Sequence, residues 1–216
     1  MWGGNRENIL HDQTTSIEKF LEAAAAKQPT PGGGSAGALA GALAAAMGEM
    51  VVNYSVGKKG LESHLPKLQS ALAVFHRGRE MMLGFLAEDQ SAYEALTAAR
   101  KLPADSPNRE SSIAAASLLC IQVPESMAIT AVEMIGLADA IVEAVNPRLL
   151  SDLAACAELA MATTRVALYN VRVNLSDMAD AERRRKIEET CERLLSRATA
   201  LMKRVIPRIR ERVSQS

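Results

Sequence analysis

A run of glycines at the start of a strongly helical segment limits what this chain can fold into more than any other feature. Residues 30–41 read TPGGGSAGALAG. Gly33, Gly37 and Gly41 repeat at intervals of four residues, so one face of the predicted helix is nearly bare backbone. Each glycine in a helix interior costs about 0.5–1 kcal/mol relative to alanine. The segment therefore predicts either very close helix–helix packing or a ligand pressed against the backbone.

The same segment also places free backbone N–H groups at a predicted helix N-terminus, which is an anion site in principle. It is not a P-loop, because no Gly-Lys-Ser/Thr sequence follows the glycines. It is not a dinucleotide fingerprint either, because no predicted strand precedes it. Two common nucleotide-binding motifs are thereby excluded.

Apolar residues at helical spacing run through nearly the whole chain, and no alternating segment rich in β-branched residues stands out. Only 3% of the residues are aromatic, and the apolar set is dominated by side chains that favour helices. We expect an all-α fold, a single-domain multi-helix bundle with long antiparallel helices. A flexible N-terminus over residues 1–14 precedes the helical domain of residues 15–216. Helices are predicted to start near Ser16, Ser35, Leu61, Arg109, Glu125, Ser151 and Asp180.

Prolines set several of the expected helix boundaries, because proline cannot donate the backbone hydrogen bond of a helix interior. The first helix ends before Pro29. A kink or break at Pro124 separates a fourth helix from a fifth that runs to about Val145. The last helix is expected to kink or end at Pro207, and a break near Glu88 is one option for the third helix.

Charge and cysteine content exclude several classes of partner. Lys+Arg and Asp+Glu balance at 25 each, which argues against nucleic-acid binding. The most apolar stretch, residues 36–52, contains Glu49 and falls short of the ~20 apolar residues of a membrane span, so no membrane partner is expected. Three isolated cysteines predict buried free thiols, no metal site and a reducing, cytoplasmic location. They are Cys120, Cys156 and Cys191.

Several short motifs occur in an order and spacing that chance does not readily produce. They are Pro29-Thr30-Pro31-Gly32-Gly33-Gly34-Ser35, Met50-Val51-Val52-Asn53, Gly57-Lys58-Lys59, Glu88-Asp89-Gln90-Ser91-Ala92-Tyr93, Leu102-Pro103, Val123-Pro124, Asn146, Ser151-Asp152 and Asn170-Val171-Arg172-Val173-Asn174-Leu175. Over residues 15–180 the chain resembles the cyclodeaminase/cyclohydrolase family. That family includes methenyltetrahydrofolate cyclohydrolases and the cyclodeaminase domain of formiminotransferase-cyclodeaminase.

The resemblance implies a homodimer that acts on a folate-type substrate. The expected reaction is hydrolysis of 5,10-methenyltetrahydrofolate to 10-formyltetrahydrofolate, with no metal and no redox cofactor. Release of ammonia from formiminotetrahydrofolate by a cyclodeaminase is the alternative reaction. Because the loop after Pro103 is shorter than in the family, a catalytically silent folate-binding or scaffolding dimer is a third alternative.

This chemistry requires a carboxylate near a cationic carbon, a base for water and donors that hold the ring. The resemblance makes Asp152 the first candidate for the carboxylate and Asp89 the second, while Lys58 would donate a proton or bind a folate carboxylate. Each has an ordinary alternative role. Asp152 would cap a helix, Asp89 would be a solvated acid, and Lys58 would interact with a helix C-terminus.

Six further residues are candidates for substrate binding. Asn170 and Asn174 lie four residues apart on one helix face, where they either bond each other and the neighbouring backbone or line a polar pocket. Ser35 either caps the second helix or contacts the ligand, and Arg109 would meet the glutamate tail of a folate. The full set is Gly33, Gly34, Ser35, Arg109, Asn170 and Asn174.

Overall fold

A computed structural model describes residues 11–176 and 178–215 of the chain. Within these residues the secondary structure is helical and contains no strand, which confirms the predicted all-α fold. The predicted flexible N-terminus falls largely on residues 1–10, which lie outside the described part. The helices are α1 (Ile17–Ala25), α2 (Gly33–Asn53), α3 (Leu65–Arg100), α4 (Arg109–Ile141), α5 (Leu150–Leu175) and α6 (Ala181–Ser214), with 3-10 turns at Glu62–His64 and Pro147–Leu149.

The five long helices form one bundle in which α2 packs between α3 and α5. α4 packs against both α3 and α5, and α6 lies against α4 and α5. α2 is antiparallel to both of its main neighbours, because the chain enters and leaves it through short connections. One continuous apolar core fills the interior, as expected for a single domain.

Side-chain caps define two of the predicted helix starts. Ser16 caps α1, and its hydroxyl accepts a hydrogen bond from the backbone N–H of Lys19 at 3.3 Å. Asp180 caps α6, and its carboxylate accepts one from the backbone N–H of Arg183 at 3.0 Å. Both contacts satisfy N–H groups that have no partner inside the helix.

The expected interruptions at Pro124, Pro207 and Glu88 are wrong. α4 runs unbroken through Pro124, α6 continues past Pro207, and α3 passes Glu88 without a break. Pro124 is buried, and so are Ile121 and Met127 on either side of it. Their packing holds both halves of α4 in the same core, which offsets the hydrogen bond that the proline removes.

The glycines of α2 are explained mainly by packing. A Cβ at Gly41 would lie 2.6 Å from Met82 Sδ of α3, and one at Gly37 would lie 2.9 Å from Val166 Cγ1 of α5. The expected bare strip is therefore filled by side chains at these two positions, and only Gly33 of the three is exposed. Close helix approach offsets the cost of the interior glycines.

The cysteines are free and buried, as predicted. Burial raises the pKa of Cys156 to about 12 and that of Cys191 to about 11. Both thiols therefore remain protonated at neutral pH and are poor nucleophiles.

α2 and α4 are each long and apolar enough, by length and composition alone, to cross a bilayer. Core helices of globular bundles pass the same test. α2 packs between α3 and α5, and α4 packs against α3, α5 and α6. Their apolar character is thus already used in helix packing, and it carries no separate conclusion about membranes.

One side of the bundle leaves a broad apolar surface uncovered by the described residues. On both α2 and α5, small or apolar side chains recur at helical spacing and are exposed or half-buried. We call this surface the open face. Its members are Gly33, Ala36, Ala40, Leu43, Met47, Met50 and Tyr54 of α2, and Ala155, Leu159, Ala162, Val166, Tyr169 and Val173 of α5.

Two glycine-to-alanine variants test the packing account. A Cβ at Gly48 would lie 2.5 Å from the ring of the buried Phe75, whereas one at Gly84 would meet only Glu88 Oε1 at 3.7 Å. Gly48→Ala should lower the free energy of unfolding by about 1–3 kcal/mol through overpacking. Gly84→Ala should raise it by about 0.5–1 kcal/mol through helix propensity. Urea denaturation measures both, and equal effects of the two variants would contradict the account.

Candidate active site

A half-buried carboxylate lies against the first turn of α2. Asp89, on α3, accepts a hydrogen bond from the hydroxyl of Ser35 at 2.8 Å and another from the Ser35 backbone N–H. A Cβ at Gly34 would lie 2.0 Å from Asp89 Oδ1, so only glycine leaves room for the carboxylate. Ser35 is fully buried, and the N-cap of α2 is Gly32, so the helix-capping role for Ser35 is wrong.

The environment of Asp89 changes its acidity. Burial raises the pKa of the Asp89 carboxyl above its ordinary value, while the two hydrogen bonds from Ser35 act in the opposite direction. Neither a Lys nor an Arg forms an ion pair with Asp89 within residues 11–176 and 178–215. The site therefore holds an uncompensated acid near the surface, which is a common arrangement for a proton acceptor.

Two amides of α5 lie on the same side of the bundle end. Asn170 Nδ2 donates to the Val166 carbonyl at 2.8 Å, and a Cβ at Gly33 would lie 3.6 Å from it. Asn174 Nδ2 donates to the carbonyls of Asn170, at 2.9 Å, and Cys120, at 3.0 Å. The donors of both amides are thus bonded to backbone, and Asn170 still borders the exposed backbone at Gly33.

Lys58 and Asp152 lie together at the opposite end of α2 and α5. Lys58 Nζ donates to Asn146 Oδ1 at 2.6 Å, and the Asn146 N–H donates to the hydroxyl of Ser55 at 2.9 Å. Asp152 is half-buried in the first turn of α5, whose N-cap, Leu149, makes no side-chain hydrogen bond to the helix.

One protomer does not bring the three predicted catalytic residues together. Asp152 and Asn170 are 18 residues apart on α5, which is about 27 Å at 1.5 Å per residue. Ser35 and Lys58 lie beyond opposite ends of most of α2, at a similar separation. The structure groups Asp89 with Ser35, Gly33, Gly34 and Asn170, and it places Asp152 and Lys58 in a second group.

Arg109 lies outside both groups. It begins α4, and its Nε donates to the Leu102 carbonyl at 3.1 Å, which ties down the turn between α3 and α4. Cys120, whose carbonyl meets Asn174, is 11 residues further along α4, about 16 Å away.

Sequence reasoning missed two features beside these groups. Gln90, fully buried next to Asp89, accepts from the His11 N–H at 3.0 Å and donates to the His11 carbonyl at 2.6 Å. These partners are 79 residues apart, and no local pattern links them. The Asn146–Ser55 contact had a signal, because Asn146 belongs to the matched motifs.

No group of three or more His, Cys, Asp or Glu residues with the geometry of a metal site occurs in the described part of the chain. The chemistry that the site itself offers is that of a carboxylate, a hydroxyl, an amide and exposed backbone N–H groups.

The raised pKa of Asp89 makes stability depend on pH. Because folding favours the protonated carboxyl, ionised Asp89 lowers the free energy of unfolding, and this cost appears as pH rises above the unfolded pKa of ~3.9. Asp89→Asn should therefore have a higher melting temperature than wild type at pH 7, and the difference should shrink towards pH 4. Thermal unfolding between pH 4 and 8 measures it, with the exposed Asp105→Asn as the control for loss of a charge. A less stable Asp89→Asn at pH 7 would show the carboxylate to be structural.

Comparison with known proteins identifies the relatives of this fold and site. The family described as formiminotransferase-cyclodeaminase matches residues 16–193. A methenyltetrahydrofolate cyclohydrolase of Methylorubrum extorquens is 34% identical over 206 residues, covering 92% of this chain and 98% of the relative. The formimidoyltransferase-cyclodeaminase of Gallus gallus is 27% identical over 189 residues, and the match spans only 35% of that longer protein.

A solved structure agrees with these matches. The crystal structure of formiminotetrahydrofolate cyclodeaminase from Thermotoga maritima superimposes with a TM-score of 0.85 at 27% sequence identity, covering 92% of this chain and 97% of that one. The motif-based resemblance is therefore confirmed in both sequence and fold. The chain belongs to the formiminotransferase-cyclodeaminase family.

Proposed function

We propose that the protein hydrolyses 5,10-methenyltetrahydrofolate to 10-formyltetrahydrofolate. The observation that carries the proposal is the match to the Methylorubrum extorquens cyclohydrolase, which extends over 98% of that enzyme's length. The longer formimidoyltransferase-cyclodeaminases share only about a third of their length with this chain. A stand-alone chain of this size is thus more similar to the cyclohydrolase than to the two-activity proteins.

Asp89 is the residue best placed to act on water. The methenyl carbon between N5 and N10 carries cationic character, so it is already electrophilic, and a neighbouring carboxylate stabilises it. A partly desolvated carboxylate with a raised pKa is also a stronger base than a solvated one. Asp89 therefore accepts a proton from the water that attacks this carbon.

Ser35, Gly33 and Asn170 position the reacting groups. The Ser35 hydroxyl fixes one oxygen of Asp89 and leaves the other for water. The exposed backbone at Gly33 lets a flat ring approach the first turn of α2, where N–H groups point outward. Asn170 Oδ1 makes no hydrogen bond in the described residues and accepts one from a pterin N–H.

The proposed reaction changes no oxidation state and starts from an activated carbon, so the proposal includes no metal and no organic cofactor. We also propose a cytoplasmic homodimer that binds neither nucleic acid nor membranes. The support for a dimer is the open face, because monomeric proteins rarely expose a contiguous apolar patch larger than a few hundred Å².

Formiminotetrahydrofolate cyclodeaminase activity is the second candidate. It is favoured by the fold match to the Thermotoga maritima protein described by that name. The same carboxylate would then stabilise a tetrahedral carbon while ammonia departs.

An absorbance assay distinguishes the candidates. Purified protein should accelerate the loss of the methenyl absorbance well beyond the rate in buffer. Asp89→Asn should lower turnover by about 10²–10⁴-fold, the usual contribution of a positioned acid or base. Glu88→Gln, the exposed neighbour on α3, is the matched control and should keep wild-type turnover.

The outcomes separate three functions. Ammonia release from formiminotetrahydrofolate, with no methenyl hydrolysis, would favour the cyclodeaminase. Neither reaction, with folate still bound, would identify a silent folate-binding dimer and contradict the proposal.

A further inference from the structure

Two incomplete groups of polar residues lie at opposite ends of the open face. At one end Asp89 has no basic partner in the described residues, and at the other Lys58 bonds only the neutral amide of Asn146. Asp152, next to Lys58 in the second group, forms no hydrogen bond or ion pair in the same part of the chain. Each group thus has charged members without opposite charges nearby.

The two groups are equally far from the middle of the open face. Val166 lies opposite Gly37, so fourteen residues back along antiparallel α5 corresponds to fourteen residues forward along α2. Asp152 is therefore level with residue 51 of α2. Leu43 is eight residues from Ser35 and eight from residue 51, so it marks the midpoint.

The open face itself runs the length of both helices. Leu43 is 48% exposed, Tyr54 and Tyr169 are each 64% exposed, and Val173 is 72% exposed, although all four are large apolar or aromatic residues. Two adjacent helices about 30 Å long present on the order of 600 Å² in projection. A stable interface buries about 800 Å² of accessible surface per partner, so this face is of suitable size.

We infer that a second copy of this chain covers the open face about a two-fold axis near Leu43, with α2 antiparallel to its counterpart, and that Asp152 of the partner subunit completes the site around Asp89. The inference rests on the proposed function. Each dimer then has two sites, and each site takes Asp89, Ser35 and Asn170 from one protomer and Asp152 from the other.

Charge favours the antiparallel arrangement over a parallel one. In a parallel dimer Asp89 would face the partner's Asp89, and Lys58 the partner's Lys58, so like charges would approach each other. The antiparallel arrangement brings the end that holds Lys58 and Arg148 towards the unpaired Asp89 instead. It also opposes the dipoles of the two α2 helices.

The shared site explains how two carboxylates serve one reaction. The partner's Asp152 faces the cationic carbon from the opposite side and stabilises it, while Asp89 accepts the proton from water. Two acids in different surroundings can divide these roles.

Mixed dimers test the inference directly. Asp89→Asn and Asp152→Asn chains carrying different affinity tags are co-expressed, and the heterodimer is isolated by tandem purification. Both homodimers should be inactive, whereas the heterodimer should recover about half of the wild-type turnover, because one of its two sites is intact. A wild-type chain paired with the double variant Asp89→Asn/Asp152→Asn should be nearly inactive, since neither site is intact.

A site contained in one protomer gives the reverse pattern. The first heterodimer would then be inactive, and the second would keep about half of the wild-type turnover. That result, or full turnover by the Asp152→Asn homodimer, overturns the inference.

Cysteine cross-linking tests the arrangement without reference to activity, so a failure of the proposed function is distinguishable from a failure of the dimer. Leu43→Cys should form a disulfide with itself under mild oxidation. Ala36→Cys should not do so alone, but it should pair with Met50→Cys when the two variants are mixed, because these positions are equidistant from Leu43. A monomer by light scattering, or self-pairing of Ala36→Cys, overturns the arrangement even if turnover is found.

Discussion

The absence of a side chain at Gly34 is the constraint on which the candidate site depends. A single methyl group there would lie 2.0 Å from Asp89 Oδ1, so the carboxylate can rest on the first turn of α2 only if residue 34 is glycine. From that position Asp89 binds the hydroxyl and the backbone N–H of Ser35. The carboxylate is held in place and partly desolvated, which raises its pKa and makes it a useful base.

The same helix serves two purposes on two faces. On its inner face, Gly37, Gly41 and Gly48 admit side chains from α3, α4 and α5, so the helices pack closely. On its outer face, alanine, leucine and methionine form half of the open face, which no described residue covers. The inner packing fixes the first turn of α2, and the outer face provides the surface on which a second copy would bring the other polar group.

Local patterns in the sequence predicted most of the fold. Periodic apolar residues indicated the long helices, and capping residues such as Ser16 and Asp180 marked where two of them start. The interruptions at Pro124 and Pro207 were wrong because proline affects one hydrogen bond, whereas burial on both sides of it involves many contacts. The choice between helix packing and ligand contact for the glycines needed the positions of Met82 and Val166, which the sequence alone does not give.

The site was predicted less completely than the fold. The motifs named Asp89, Ser35 and Asn170, but their meeting depends on three helices separated by more than fifty residues along the chain. Asp152 and Lys58 were expected beside them, and antiparallel packing of α2 and α5 places them at the other end of the protomer.

Turnover of Gly34→Ala measures the central constraint most directly, with circular dichroism to confirm that the helices remain folded. The added methyl group must displace the Asp89 carboxylate by an ångström or more, a shift that lowers turnover by about 10²-fold in well-positioned sites. We expect a folded protein with turnover reduced to this degree. Wild-type turnover in folded Gly34→Ala would show that the position of Asp89 against α2 does not govern the reaction.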